Sequence, residues 1–231
     1  MRPNRSDALT LALSLVLLPA PAALARGDDA PGAIPLFDGQ TLANWTPTDF
    51  YKAGEVVVED GAILLKKSEA SGGMTGITTS REDLPRIDYE LSYRAKRTEG
   101  RDFFAAATFP VGETYLTFVN GGWGGSVTGL SSIDGADASE NLTGTYHKFE
   151  NDTWYSFRIR VTDAAIRCWV DDEELVSFDP TGHHLGTRLE TRVSQPLGFA
   201  TWQSGGALKD IVLRPLSPEE VASEAEAADT P

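Results

Sequence analysis

The sequence holds one cysteine and three histidines among 231 residues. A single cysteine closes no intramolecular disulfide and builds no thiolate metal cluster. His147, His183 and His184 show no H-E-x-x-H or other ligand spacing. The adjacent pair His183-His184 would point to opposite faces of a strand, which makes a poor chelate and argues against zinc. Basic residues are scarce as well. Twenty Lys+Arg face 34 Asp+Glu, for a formal net charge of -14. That charge repels phosphate backbones and anionic membranes, so neither a nucleic acid nor an anionic lipid surface is expected as partner. No internal repeat is visible. Beyond residue 25 no run reaches the ~20 apolar residues that a spanning helix needs. No amphipathic stretch of helical length interrupts the chain before its acidic tail.

The N-terminus has the three parts of a secretory signal. Arg2 and Arg5 supply positive charge, residues 9–18 form a short apolar run, and Ala23-Leu24-Ala25 is a small-x-small cleavage site. The sequence therefore predicts a signal peptide over 1–25, a short linker over 26–33, one domain over 34–216 and an acidic, flexible tail over 217–231. The processed protein is expected to be soluble, secreted or periplasmic, with no membrane insertion after cleavage. A hydrophobic share of 41% is enough for a real core.

The body reads as β-structure. Residues 86–96 alternate apolar and polar side chains with period two, as a strand with one buried and one wet face does. Residues 154–161 and 166–171 repeat the pattern around a polar turn and form a predicted hairpin. Here Tyr155, Phe157, Ile159, Val161, Ile166, Cys168 and Val170 face inward, which makes Cys168 a buried, inert thiol. Further strands are expected at 55–59, 62–66, 103–109, 114–119, 174–178, 197–203 and 207–214. Many antiparallel strands separated by Gly, Asp and Pro turns predict an all-β sandwich or jelly roll of two sheets. Ser217-Pro218-Glu219-Glu220 opens like a helix N-terminus, but the Ala/Glu-rich residues after it carry no apolar stripe and read as a solvated tail.

Four places carry candidate chemistry. Asn120-Gly121-Gly122-Trp123-Gly124-Gly125 sets one tryptophan among glycines straight after a strand, as a plug at the end of the sandwich or as an exposed ring on which a sugar stacks. The polar loop 131–141 holds Asp134, Asp137 and Glu140, which suit a hard cation such as Ca²⁺ or an acid/base role. Arg101 and Asp102 sit at a strand start, where side chains can project into a cleft. Trp154, Trp169 and Trp202 fall on the polar parity of their strands and need packing or a ligand to cover them. His147 could act as a base or lie plainly on the surface.

Ile34-Pro35-Leu36-Phe37-Asp38-Gly39-Gln40-Thr41-Leu42-Ala43-Asn44-Trp45 resembles the opening of the 3-keto-disaccharide hydrolase domain family, Leu-Phe-(Asn/Asp)-Gly-x-x-Leu-x-x-Trp. Val58-Glu59-Asp60-Gly61-Ala62-Ile63, Asp88-Tyr89-Glu90-Leu91, the hairpin residues Asp152 to Asp172, and Pro196-Leu197-Gly198-Phe199-Ala200 with Leu208-Lys209-Asp210-Ile211 follow in family order. The resemblance covers about residues 34–216. It implies a concanavalin A-like jelly roll, exported by bacteria and often grouped with family-sixteen glycoside hydrolases. The Glu-x-Asp-x-(x)-Glu strand of that family is absent, so a two-carboxylate retaining mechanism has no motif behind it. Glu99-Gly100-Arg101-Asp102 replaces the usual Gly-Asn-Ser-Gly, and the Arg of the following run is missing.

The activity implied is cleavage of a glycoside already oxidised at C3, by C2 proton removal, elimination at C1 and hydration. It needs a base, an enolate stabiliser and an acid for the leaving group. The candidates are Asp102 or Glu140 as base and Arg101 or Arg94 as stabiliser. Trp123 and Trp202 would stack the sugar, with Asn120, Gln203 and His147 as further substrate contacts. The chemistry requires no cofactor; Asp134 and Asp137 are the candidate Ca²⁺ ligands. The alternative is a non-catalytic, lectin-like carbohydrate-binding module of the cell envelope, since fold alone does not decide function.

Overall fold

The computed structural model describes residues 31–228; the expected signal peptide lies outside them. The strands, in chain order, are β1 (Ile34–Pro35), β2 (Trp45–Pro47), β3 (Val56–Glu59), β4 (Ala62–Leu65), β5 (Met74–Thr79), β6 (Tyr89–Glu99), β7 (Ala106–Val111), β8 (Thr114–Gly122), β9 (Val127–Ser131), β10 (Thr145–Tyr146), β11 (Tyr155–Val161), β12 (Ile166–Val170), β13 (Glu173–Phe178), β14 (Gly198–Trp202) and β15 (Gly205–Pro215). One sheet runs β13-β12-β11-β6-β15-β4-β3, with β1 also on β15; the other runs β10-β9-β8-β7-β14-β5-β2. Strand pairing within both sheets is antiparallel. The result is the expected β-sandwich jelly roll.

The first sheet follows the alternation in its sequence. Tyr89, Leu91, Tyr93 and Ala95 of β6 are buried, and register sets Tyr93 opposite Phe157 and Leu91 opposite Ile159. Tyr93 and Phe157 stack at 4.9 Å, while Phe199 of the second sheet meets Tyr93 edge-on at 4.8 Å. This cross-sheet aromatic contact fills the middle of the core, where such pairs add about 0.5–1.5 kcal/mol beyond area burial. Cys168 is fully buried, and burial pushes its thiol well above the ordinary range. The outward tryptophans of this sheet are covered by cations rather than ligand. Arg158 lies 4.1 Å from the Trp169 ring, and Lys209 lies 4.5 Å from that of Trp154.

The acidic tail is a correction. Pro218–Ala228 forms helix α1, docked on the outer face of the first sheet. Its start is a capping box: the Glu220 N–H donates to Ser217 Oγ, and the Ser217 N–H donates to Glu220 Oε2. Arg214 donates two bonds to Glu220 at 2.9 and 2.8 Å. Arg160 donates to Glu224 at 2.6 Å, and Arg167 lies 2.9 Å from the same carboxylate. Beneath the helix, buried Glu90 accepts from both Arg160 and Arg214. Charge pairing with the sheet replaces the missing apolar stripe.

Arg214, before any other cause, holds the Glu220 carboxyl down at about 2 from its ordinary 4.5. A folded-state value below the unfolded one contributes stability above pH ~4.5, lost as pH falls towards 2. Denaturant midpoints measured from pH 6 to pH 2 should decline, and Glu220→Gln should flatten that decline. Glu90→Ala should cost about 1–3 kcal/mol at neutral pH in the same assay, because Arg160 and Arg214 lose a shared buried partner and keep only Glu224 and Glu220.

Candidate functional site

The second sheet has no wet face where the site lies. In β7 and β8 the residues facing away from the core, such as Ala106, Thr117 and Val119, are buried too. Three loops cover them: residues 100–104, the Trp123 loop, and residues 187–196, which include the 3-10 turn Leu189–Ser194. Under these loops lies a cavity of about 230 Å³ lined by Met74, Phe103, Ala106, Val119 and the aliphatic parts of Thr117 and Thr191. It meets a second, more open hollow of about 730 Å³, lined by Lys67, Arg101, Gln203 and Gly124. Asp102, Trp123 and Trp202 line both and mark the junction.

Asp102 is held firmly. Its Oδ1 accepts the Phe103 N–H at 2.8 Å and its Oδ2 accepts the Gly124 N–H at 2.9 Å. Its own N–H donates to Ser204 Oγ at 2.9 Å. Its carbonyl accepts from Ser204 Oγ and from the Arg97 guanidinium. The bond to Gly124 ties the Trp123 loop to the carboxylate. Gly125 lets the loop come this close: its φ is +126°, and a Cβ there would stand 2.6 Å from the Arg101 carbonyl oxygen. Trp123 is 43% exposed, enough to offer one ring face to a ligand. Trp202 packs on Phe103 with centroids 6.4 Å apart, and its N–H donates to the Phe103 carbonyl at 3.0 Å. Gln203 donates through Nε2 to the Ala70 carbonyl at 2.7 Å and lines the open hollow.

The remaining candidates fall elsewhere. Arg94 lies on the first sheet, 4.0 Å from Asp210 and beside Trp154, across the sandwich from the cavity. Glu140 is exposed in the turn after Asp137 and lines neither hollow. His147 packs against Phe149 in a tilted contact at 4.6 Å and lies 3.5 Å from Glu173. Asn120 is fully buried: its amide donates to the Ala105 carbonyl at 2.8 Å and accepts the Ala105 N–H at 3.2 Å. It is a clamp between β8 and the strand beside it, and no ligand reaches it. Asp134 and Asp137 do not converge on a cation position. Asp134 pairs with His183 at 2.7 Å, which holds its carboxyl below the usual range, and Asp137 pairs with Arg188. Among the described residues no group of three His, Cys, Asp or Glu side chains could hold a metal ion.

Arg188 and Glu190 at the far end of the cavity escaped sequence reasoning. They pair with each other at 3.3 Å; the hydrogen bond to Glu190 raises the Arg188 value, while Glu190's own backbone bond and then Arg188 lower the Glu190 value. No alternation or motif marks residues 187–196, and their place depends on β5 and β14, against which the 3-10 turn packs.

The profile of the 3-keto-alpha-glucoside-1,2-lyase-like domain matches residues 32–214. The chain belongs to that family of carbohydrate-active domains. No curated protein matches the sequence significantly. Similar solved structures share the fold at low identity. The Ca²⁺/Man3GlcNAc-bound exoplasmic/lumenal domain of VIP36 is 12% identical, covers 82% of this chain and 92% of its own, and has a TM-score of 0.54. The Emp47p carbohydrate recognition domain is 10% identical, over 80% and 95%, at 0.53. A structure from work on endo-acting O-glycanases of human gut microbiota is 15% identical, over 83% and 98%, at 0.52.

Asn120→Ala should lower stability by about 1–3 kcal/mol, because it strands the Ala105 N–H and carbonyl in the interior. Thermal melts would register that loss. Ligand affinity of the folded fraction should stay unchanged, as befits a residue that braces the site without lining it.

Proposed function

We propose that this chain is an exported glycoside-cleaving enzyme that acts on sugars oxidised at C3. The observation that carries the reading is Asp102, a carboxylate that lines, with two tryptophans, the junction of an apolar cavity and a more open hollow. The family match supports the substrate class.

In this reading the keto-sugar lies against Trp123 and Trp202, its C–H face on the rings. The C3 ketone acidifies the C2 hydrogen. Asp102 takes that proton, and the electron pair becomes an enolate. The enolate electrons then form the C1–C2 double bond as the C1–O bond breaks. The departing oxygen keeps the bonding pair and takes up a proton. Water adds across the double bond to give the free 3-keto sugar. Arg101 stabilises the enolate oxygen in this reading: it lines the open hollow, and among the described residues no hydrogen bond or ion pair engages its guanidinium. The step needs one base, so the absence of a carboxylate pair at family-sixteen spacing is no obstacle.

Asp102→Asn should lower turnover of a 3-keto-glycoside by about 10²–10⁴-fold while ligand binding persists, since an amide oxygen can still accept one of the two N–H groups. Rates and calorimetric affinities measured side by side check this. Wild-type protein that binds glycans and turns over none of the 3-keto substrates would establish the lectin-like alternative instead.

A further inference from the structure

The apolar cavity is a poor place for a sugar. A pyranose carries hydroxyls on most of its carbons, and each one buried without a partner is costly. The cavity has polar residues in its wall, but their polar atoms are spent within the protein. Thr117 Oγ1 bonds Thr108 Oγ1 at 3.0 Å, and Thr191 Oγ1 donates to the Arg188 carbonyl at 3.2 Å. Ser131 Oγ accepts the Ala138 N–H at 2.9 Å. Arg188 is shared between Asp137 and Glu190. What remains facing the space is carbon: Met74, Phe103, Ala106, Val119 and threonine methyls. The open hollow is the opposite. Among the described residues Lys67 and Arg101 have no hydrogen-bond or ion-pair partner, and both line it with Gln203.

We propose that the substrate is an aryl glycoside, whose aromatic aglycone fills the apolar cavity while the keto-sugar sits in the more open hollow, with the scissile bond at Asp102. This rests on the elimination reading above and names its substrate class. A volume of about 230 Å³, below the ~300 Å³ of typical drug-sized sites, suits a single aromatic ring. The leaving-group chemistry agrees. An acid is wanted on the aglycone side, and the carboxylate there, Glu190, is ion-paired with Arg188 and so poorly placed to give up a proton. A phenol, with a pKa near the ~10 of tyrosine, departs as phenolate without such help. A sugar alkoxide, closer to the ~15.7 of water, does not. The bonds made and broken are those of the elimination, with the phenolate oxygen taking its proton from solvent.

The test compares 4-nitrophenyl 3-keto-glucoside, as both anomers, with 3-keto-disaccharides of matching anomeric configuration. The expected result is a kcat/KM at least ~100-fold higher for the aryl substrate. Ala106→Met, which fills the cavity, should cut aryl kcat/KM at least tenfold. If that variant fails to fold, Met74→Phe narrows the same space from β5. Comparable rates on aryl and disaccharide substrates would overturn the aryl assignment and leave the elimination reading standing. Titration with 4-nitrophenol alone separates the other case. Its binding to wild type, weakened by Ala106→Met, supports the aryl cavity even if neither 3-keto substrate is cleaved, in which case the elimination reading fails. No binding of 4-nitrophenol overturns the proposal.

Discussion

One buried guanidinium holds the site together. Arg97 stands at the end of β6, only 5% exposed, and burial depresses its ionisation more than any neighbouring charge restores it. Its hydrogen-bond partners are neutral oxygens. Nε donates to Asn151 Oδ1 at 2.6 Å, Nη2 to the Phe149 carbonyl at 2.5 Å and Nη1 to the Asp102 carbonyl at 3.3 Å. A cation in such a place is tolerated only when its donors are satisfied. Three separate stretches of chain must therefore stay in register around it: the 149–151 loop, the strand and the Asp102 turn. The Trp123 loop follows, because Gly124 hangs on the Asp102 carboxylate.

From that anchor, polarity is sorted over a short distance. The loops over β7 and β8 bury what a one-sided sheet would leave wet, and they consume the hydroxyls of Thr117, Thr191 and Ser131 in doing so. The junction residues Asp102, Trp123 and Trp202 sit where this dry region meets solvent. Gly100 shows how tight the assembly is. Its φ is +83°, and a Cβ there would stand 2.6 Å from the Gln203 carbonyl oxygen, so the turn that delivers Asp102 tolerates no side chain at that position.

Legibility in the sequence tracks solvent exposure. Strands β6, β11 and β12 alternate because one of their faces is wet or capped by charge, and the expected strands match them closely. Strand β5, Met-Thr-Gly-Ile-Thr-Thr, and strand β9 were missed because both of their faces are covered and the period of two disappears. Strand β8 runs three residues beyond its expected end, through Asn120 and two glycines, since the amide of Asn120 substitutes for ladder bonds. Among the site candidates, Arg101 and Asp102 line the open hollow with Trp123 and Trp202, whereas Arg94 and His147 line neither hollow, because nothing in a one-dimensional pattern says which sheet a residue joins. The tail misled for a related reason: it has no apolar stripe, and the arginines that receive it lie far back in the chain, the most distant at Arg160.

Net charge adds a constraint that the cavity alone does not. At -14 overall the chain repels polyanions at long range, yet two cations unpaired among the described residues, Lys67 and Arg101, line the open hollow. Beyond about 8 Å at physiological salt the general repulsion is screened, and local charges decide. In the proposed reaction a neutral keto-sugar would meet no barrier on approach and find positive charge only once within reach of Arg101, and negative charge would develop on it as the C2 proton left. Cations placed in that way would favour the enolate over the neutral ground state, which is the difference in binding that accelerates a reaction.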